Sequence, residues 1–271
     1  MSDKERNMVK TGDQYFNFAD LYDSETDNSD TQAFYREWRD SLLEAVRQYR
    51  INVGVIVDLA CGTGNTTVPW TNRHGWKVVG VDASAAMLRE ARRKTKRVQW
   101  YRQDLRALNL KERADVVTCH FDALDHILAP RDLQHVFNGV ADLLNEGGLF
   151  QFDMNTAHWF RWLSVHEKLF RIGADYFMAS NEYDSRRRIV TFHQLWFVRK
   201  GRLYEKREVK VNERAYTVAE IRHMVKIAGL RLLTLKTQRK LEGKPIRLLY
   251  LVRKPERSLY EIQKVRHKQA G

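Results

Sequence analysis

The chain has only two cysteines in 271 residues, Cys61 and Cys119, and they show neither metal-ligand spacing nor a disulfide framework. That excludes the small metal-stapled and disulfide-stapled classes and fits a reducing cytosol. Long apolar runs are also missing: nothing approaches the roughly 18 uninterrupted apolar residues that a membrane span requires. The start, residues 1–11, is polar and lacks the apolar segment of a signal peptide. The expectation is a soluble, cytoplasmic protein with no membrane partner. Internal repeats and low-complexity stretches are absent as well. What remains is a chain long enough for one α/β domain carrying an insertion or an appended subdomain.

Charge is abundant and lopsided, with 47 Lys and Arg against 34 Asp and Glu, a formal net charge of +13. The first thirty residues are acidic, whereas basic residues crowd Arg186–Arg214 and the tail from Arg253 to Lys268. A solvated basic surface accounts for this spread, and a nucleic-acid footprint is the competing reading.

The most informative stretch is Val55-Ile56-Val57-Asp58-Leu59-Ala60-Cys61-Gly62-Thr63-Gly64-Asn65. Its β-branched run predicts a strand buried on both faces of a parallel sheet, and its glycines let backbone N–H groups approach a ligand. Val78 to Asp82 is a second apolar run ending in an acid, 18 residues after Gly64. A nucleotide-binding fold places a carboxylate there for ribose hydroxyls. Trp100 to Leu105 is a third, and its Asp104 is placed to accept from an adenine amine. Two phosphate motifs are missing: Thr67 stands where the dinucleotide fingerprint needs its third glycine, and Asn65 where a phosphate loop continues to lysine. Asp58 would repel a pyrophosphate but suits a ligand carrying an ammonium and a sulfonium.

The pattern D-L-A-C-G-T-G-N, then G-V-D-A-S-x-x-M-L, then Q-D-L resembles the class I S-adenosylmethionine-dependent methyltransferase family, closely over residues 50–155. The resemblance implies a Rossmann-like, doubly wound seven-stranded α/β sheet with an antiparallel β insertion after strand five. It implies S-adenosyl-L-methionine as cofactor, held by Tyr22, Asp58, Ala60, Gly62, Gly64, Asp82, Ala83, Met87, Asp104 and Leu105 and by the backbone at His120 and Phe121. It also implies an aromatic lid over the cofactor from Tyr15, Tyr22 and Asp23, although the same aromatics can anchor the N-terminus.

The implied organisation is a lid segment over 1–30, a cofactor-binding core over 31–155, an inserted hairpin subdomain over 156–216, the rest of the core over 217–253 and a basic tail over 254–271. Ser24 to Asp30 reads as a loop, and Thr31 caps an amphipathic helix through Tyr49. A short helix is expected near Thr66–Asn72, its first N–H groups facing the ligand carboxylate. Arg131–Asn145 is a further helix, closed by Glu146-Gly147-Gly148 before a fifth strand at Leu149–Asp153. The runs Arg188–Val198 and Arg202–Val211, joined at Lys200-Gly201, read as one antiparallel hairpin serving as a substrate canopy, a dimer surface or a sheet edge. Thr217 to Glu220 is a capping box that opens a helix ended by Gly229, and the final strands are Leu230–Thr237 and Ile246–Val252.

After the fourth strand, Ala114–Cys119, comes the densest polar cluster, and ligands sit at the carboxyl ends of such strands. His126 is a candidate general base, because histidine takes up a proton near neutral pH, and Asp122 a second catalytic candidate. Asp122 and Asp125 either orient an amine or cap the next helix. Tyr15, Asp125, Asn155 and Trp159 are the candidate substrate contacts, and no metal is called for. The expected enzyme methylates an N or O atom of a small molecule as a monomer or homodimer. An RNA or protein methyltransferase using the basic insertion and tail is the alternative.

Overall fold

The structure, a computed structural model, describes residues 18–256. Tyr15 and most of the basic tail lie outside the described residues. Two helices, α1 (Ala19–Thr26) and α2 (Ser29–Gln48), precede β1 (Val55–Leu59), β2 (Lys77–Asp82), helix α3 (Ala85–Lys94), β3 (Val98–Arg102), β4 (Ala114–Cys119), helix α4 (Pro130–Leu143) and β5 (Leu144–Asn155). These five strands are parallel, and their apolar runs explain why. Ile56, Val57 and Leu59 are fully buried because helices cover both faces of the sheet. Phe137 of α4 packs on one face, while Leu42 of α2 and Trp70 pack on the other.

Next in the chain come α5 (Ala157–Leu163) and the strands β6 (Lys168–Ile172), β7 (Asp175–Asp184), β8 (Ile189–Lys200) and β9 (Leu203–Arg214), which form a separate antiparallel sheet in that order. Helix α6 (Val218–Ile227) then leads to β10 (Arg231–Leu241) and β11 (Lys244–Arg253). These last strands run antiparallel and complete the main sheet in the order β10-β11-β5-β4-β1-β2-β3. This is the expected Rossmann-like seven-stranded sheet with an antiparallel insertion after the fifth strand. The order reverses between β1 and β4, and at such a switch point the strand ends leave a crevice.

Several local expectations are corrected. The insertion is four strands and a helix rather than one hairpin, because the short runs at Lys168–Ile172 and Asp175–Asp184 also pair. The segment read as a loop from Ser24 is mostly helical, and Asn28, not Thr31, is the cap of α2, accepting from the Thr31 N–H at 2.9 Å. The expected helix near Thr66 shrinks to a 3-10 turn over Val68–Asn72, with Pro69 in its first turn. The fifth strand starts at Leu144, immediately after α4 ends, so Glu146-Gly147-Gly148 lies inside it at an irregularity in the β4–β5 ladder.

Candidate active site

A cavity of about 850 Å³ opens along the carboxyl ends of the parallel strands. At its floor the loop after β1 turns through Ala60 and Gly62, both left-handed, with φ of 51° and 53°. Asp82 at the end of β2 holds this turn. Its Oδ2 accepts from the Gly62 N–H at 2.7 Å and its Oδ1 from the Ser84 N–H at 2.8 Å. Met87 and Leu105 add apolar wall on the same side, and Asp104 stands beside them. Arg106 bonds Asp104 through Nε at 2.9 Å and holds its carboxyl below the usual range. Helix α1 lies across the loop. Tyr22 faces the cavity, and Asp23 accepts from Thr63 Oγ1 at 2.6 Å and Asn65 Nδ2 at 3.0 Å while pairing with Lys94 at 2.6 Å.

The other end is built by the turn after β4. Phe121 and Asp122 are both left-handed, with φ of 63° and 54°, a conformation unfavourable for residues bearing a Cβ. The buried Asp153 of β5 holds them there: its carboxylate accepts from the Phe121 N–H at 2.7 Å and the Asp122 N–H at 3.2 Å. Arg247 of β11 donates to Asp153 and, at 2.8 Å, to Asp122, whose same oxygen also accepts from Asn155 Nδ2 at 2.6 Å. Burial outweighs the Arg247 charge and pushes Asp153 up to about 6. Asp125 is fully buried, accepts from the Asn155 N–H at 2.8 Å, and is held well above its ordinary value by burial and by the acids around it. His126 faces the cavity with Nε2 3.8 Å from Glu213 Oε1 of β9, and burial lowers its affinity for a proton. His120 is stacked on Trp38 at 4.8 Å and bonded to Gln151 at 2.9 Å. Burial lowers it to about 4, so it is neutral at physiological pH.

Residues 56–148 match the family described as "Methyltransferase domain". Along the whole domain the chain is similar to the crystal structure of a S-adenosylmethionine-dependent methyltransferase from Clostridium acetobutylicum ATCC 824, with a TM-score of 0.77 and 28% identity, over 89% of this chain and 99% of that one. The matched domain and the shared fold support the class I S-adenosylmethionine-dependent methyltransferase family. A protein assigned as a methyltransferase in Geobacillus sp. (strain WCH70) is 30% identical over 53% of this chain and 58% of its own length. The dTDP-3-amino-3,6-dideoxy-alpha-D-glucopyranose N,N-dimethyltransferase of Streptomyces fradiae is 31% identical over 42% of this chain and 44% of its own. The chain thus spans about half the length of these two curated relatives. S-adenosyl-L-methionine is the family's cofactor. The cavity's donor set fits it, for its carboxylates stand next to apolar and aromatic wall and no lysine occupies the glycine loop.

Of the residues singled out in the methyltransferase sequence, Tyr22, Ala60, Gly62, Asp82, Ala83 and Met87 line one part of the cavity. Asp104, Leu105, His120, Phe121 and His126 line the rest. The others lie elsewhere. Asp58, expected to face a cationic ligand, is 1% exposed and receives the hydroxyls of Thr118, Thr66 and Thr67 at 2.7, 2.9 and 2.5 Å. Gly64 is a packing glycine: its φ is 83° and a Cβ would stand 2.7 Å from the Trp100 ring. Asp122, Asp125 and Asn155 form the network behind the wall rather than the wall itself. Trp159 stacks on Trp162 at 5.3 Å within the core of the insertion, because α5 turns it away from the end of β5. Sequence reasoning missed Tyr35, Gln103 and Ile127 on the wall, as well as Arg247 and Glu213 behind it. Only the buried setting of Glu213, in a strand otherwise alternating with exposed residues, hints at it in retrospect. Asp122, His126 and Glu213 have ligand atoms within 4.8 Å of one another, yet Arg247 already bonds Asp122 and opposes a doubly charged ion.

Proposed function

We propose that this methyltransferase moves the methyl group of S-adenosylmethionine to a nitrogen or oxygen atom of a small molecule. The observation that carries the reading is one continuous cavity of about 850 Å³, within the range of small-molecule sites, that runs from the glycine loop to His126 under α1. The amino-sugar N,N-dimethyltransferase of S. fradiae supports an acceptor of that size.

In this reading Asp82 receives the ribose hydroxyls, Met87 and Leu105 flank the adenine beside Asp104, and the turn at Ala60–Gly62 forms the floor beneath them. Bound there, the cofactor supplies an electrophilic methyl carbon on a sulfonium. Methyl transfer is an in-line displacement, so the chain's contribution is chiefly to align the acceptor atom with that carbon and to exclude water. The left-handed turn at Phe121-Asp122, fixed by Asp153, sets the acceptor wall, and His126 is the group placed to take a proton where the acceptor must lose one.

The test is S-adenosylhomocysteine formation from S-adenosylmethionine against amines, amino sugars, hydroxy acids and phenols, with a short mixed RNA as a separate arm. Turnover with one small-molecule class and none with RNA supports the reading. Turnover with RNA alone, suppressed by salt as phosphate contacts would be, overturns it.

A further inference from the structure

The acid cluster behind His126 gathers four carboxyl groups around one cation. Asp122, Asp125, Asp153 and Glu213 converge from the turn after β4, from β5 and from β9, and the cation among them is Arg247. Arg214, the next residue along β9, lies over the Tyr216 ring at 5.1 Å and donates to the Leu128 carbonyl at 3.1 Å. Arg247 is committed to Asp153 and Asp122. A buried carboxyl without such a partner is held toward its neutral form by burial, until a cation arrives to favour the charged one.

Glu213 is that carboxylate. It is only 6% exposed, and although Asn155 hydrogen-bonds to it, Oε2 has no partner among the described residues. Asp125 Oδ1 is left the same way. Glu213 lies directly behind His126, which lines the cavity and whose Nε2 is 3.8 Å from Glu213 Oε1. The side chains of His126 and Asp122 keep 21% and 18% of their exposure, and the bonds from Arg247 and Asn155 both fall on Asp122 Oδ2, leaving Oδ1 clear of them.

We propose that Glu213, Asp122 and His126 form a subsite for the protonated aliphatic amine of the methyl acceptor, with Glu213 as the carboxylate that receives it. The proposal rests on the small-molecule reading above and narrows it to amines. An ammonium brings three donors and one positive charge, which matches oxygens from two acids and favours their charged forms. A neutral hydroxyl brings a single donor and no charge. A divalent ion would feel twice the repulsion from the guanidinium that bonds Asp122. The inserted sheet then has a chemical role: its strand β9 supplies the receiving group, and without it the acceptor end is incomplete.

Binding to the protein saturated with S-adenosylhomocysteine tests this at neutral pH, with n-butylammonium, n-butanol and Mn²⁺ alone as probes. The native chain should bind butylammonium at least about tenfold more tightly than butanol, as expected for a charge-assisted contact. Glu213→Gln should abolish that preference with S-adenosylhomocysteine affinity unchanged, and Glu213→Asp should retain part of it. If the glutamine variant does not fold, Glu213→Asp alone must lower the preference. No preference in the native chain, or an undiminished one in the folded variants, overturns the proposal. So does Mn²⁺ binding that depends on Glu213 and that butylammonium does not displace. Failure of the underlying function looks different: the amine preference stands, but no amine or alcohol yields S-adenosylhomocysteine.

Discussion

The two ends of the cavity are built by opposite means. At the cofactor end the bonds span shorter stretches of chain: Asp82 holds the N–H groups of Ser84 and of Gly62, 20 residues before it, and the apolar wall comes from residues that follow β2 and β3 within a few positions. At the acceptor end, one turn is held by side chains from β5, β9 and β11, including Arg247, 125 residues from the Asp122 that it bonds. In the proposed reading, strand-end turns fix the half of the site that meets a constant cofactor, while buried groups gathered from distant strands fix the half that selects the acceptor. The second arrangement is the more expensive to break, because removing one member leaves the others buried and unpaired.

The comparison is tested most severely by Arg247→Met. Losing the guanidinium strands Asp153, and unfolding by denaturant should show a loss of about 3–5 kcal/mol. A loss below about 1 kcal/mol would mean that the acceptor end does not depend on this charge.

His120 offers a pH test of the same end. Its affinity for protons is depressed by burial to about 4, so the unfolded chain takes up a proton near the ordinary value of about 6.5 while the folded chain does not. Its contribution is therefore present above about pH 6.5 and lost as pH falls towards 4. The stability difference between the native chain and His120→Asn should shrink over that window by up to about 3 kcal/mol, read from paired denaturation curves. Titration of Asp153 occurs in both proteins and cancels. A pH-independent difference would show that His120 is not buried as a neutral ring.

At the cofactor end, Asp82→Ala should weaken S-adenosylhomocysteine binding by about 1–3 kcal/mol in calorimetry while leaving the fold intact. Unchanged affinity would remove Asp82 from the ribose site. The smallest effect belongs to α1: Asp23→Asn keeps the hydrogen bonds to Thr63 and Asn65 in part but loses the charge facing Lys94. It should cost no more than about 1 kcal/mol of affinity, an amount that raised salt reduces further.

The same contrast decides what was legible in the sequence. The sheet could be read because Val55–Leu59 and Val78–Asp82 are apolar runs whose only plausible home is a parallel sheet covered on both faces, and the positions lining the cofactor half of the cavity follow those strand ends within a few residues. Asp58 misled because an acid at the end of a strand resembles a ligand contact, whereas three threonine hydroxyls absorb it. Trp159 misled in a similar way, since helix α5 begins within two residues of β5 and rotates the ring into the insertion. Glu213 and Arg247 were illegible for another reason. Glu213 sits in a strand that alternates between surface and core and Arg247 at the start of the buried stretch of β11, and only tertiary pairing brings them to the turn after β4. The extra strands β6 and β7 were missed because their segments carry exposed Leu169, Phe170 and Met178 and lack a clean alternation of apolar and polar residues.

Helix α1 joins the two halves in time as well as in space. Its Phe18-Leu21 side is seated in the core of the inserted sheet with Phe177 and Trp196, Asp20 pairs with Arg207 at 2.8 Å, and Asp23 is tied to the glycine loop. Lifting the helix off the glycine loop therefore means undocking it from β7, β8 and β9 at once. With the cofactor in the proposed place, its residence time is coupled to the packing of a sheet that does not line the cavity, so a substitution at Trp196 should be felt first in how quickly S-adenosylhomocysteine leaves.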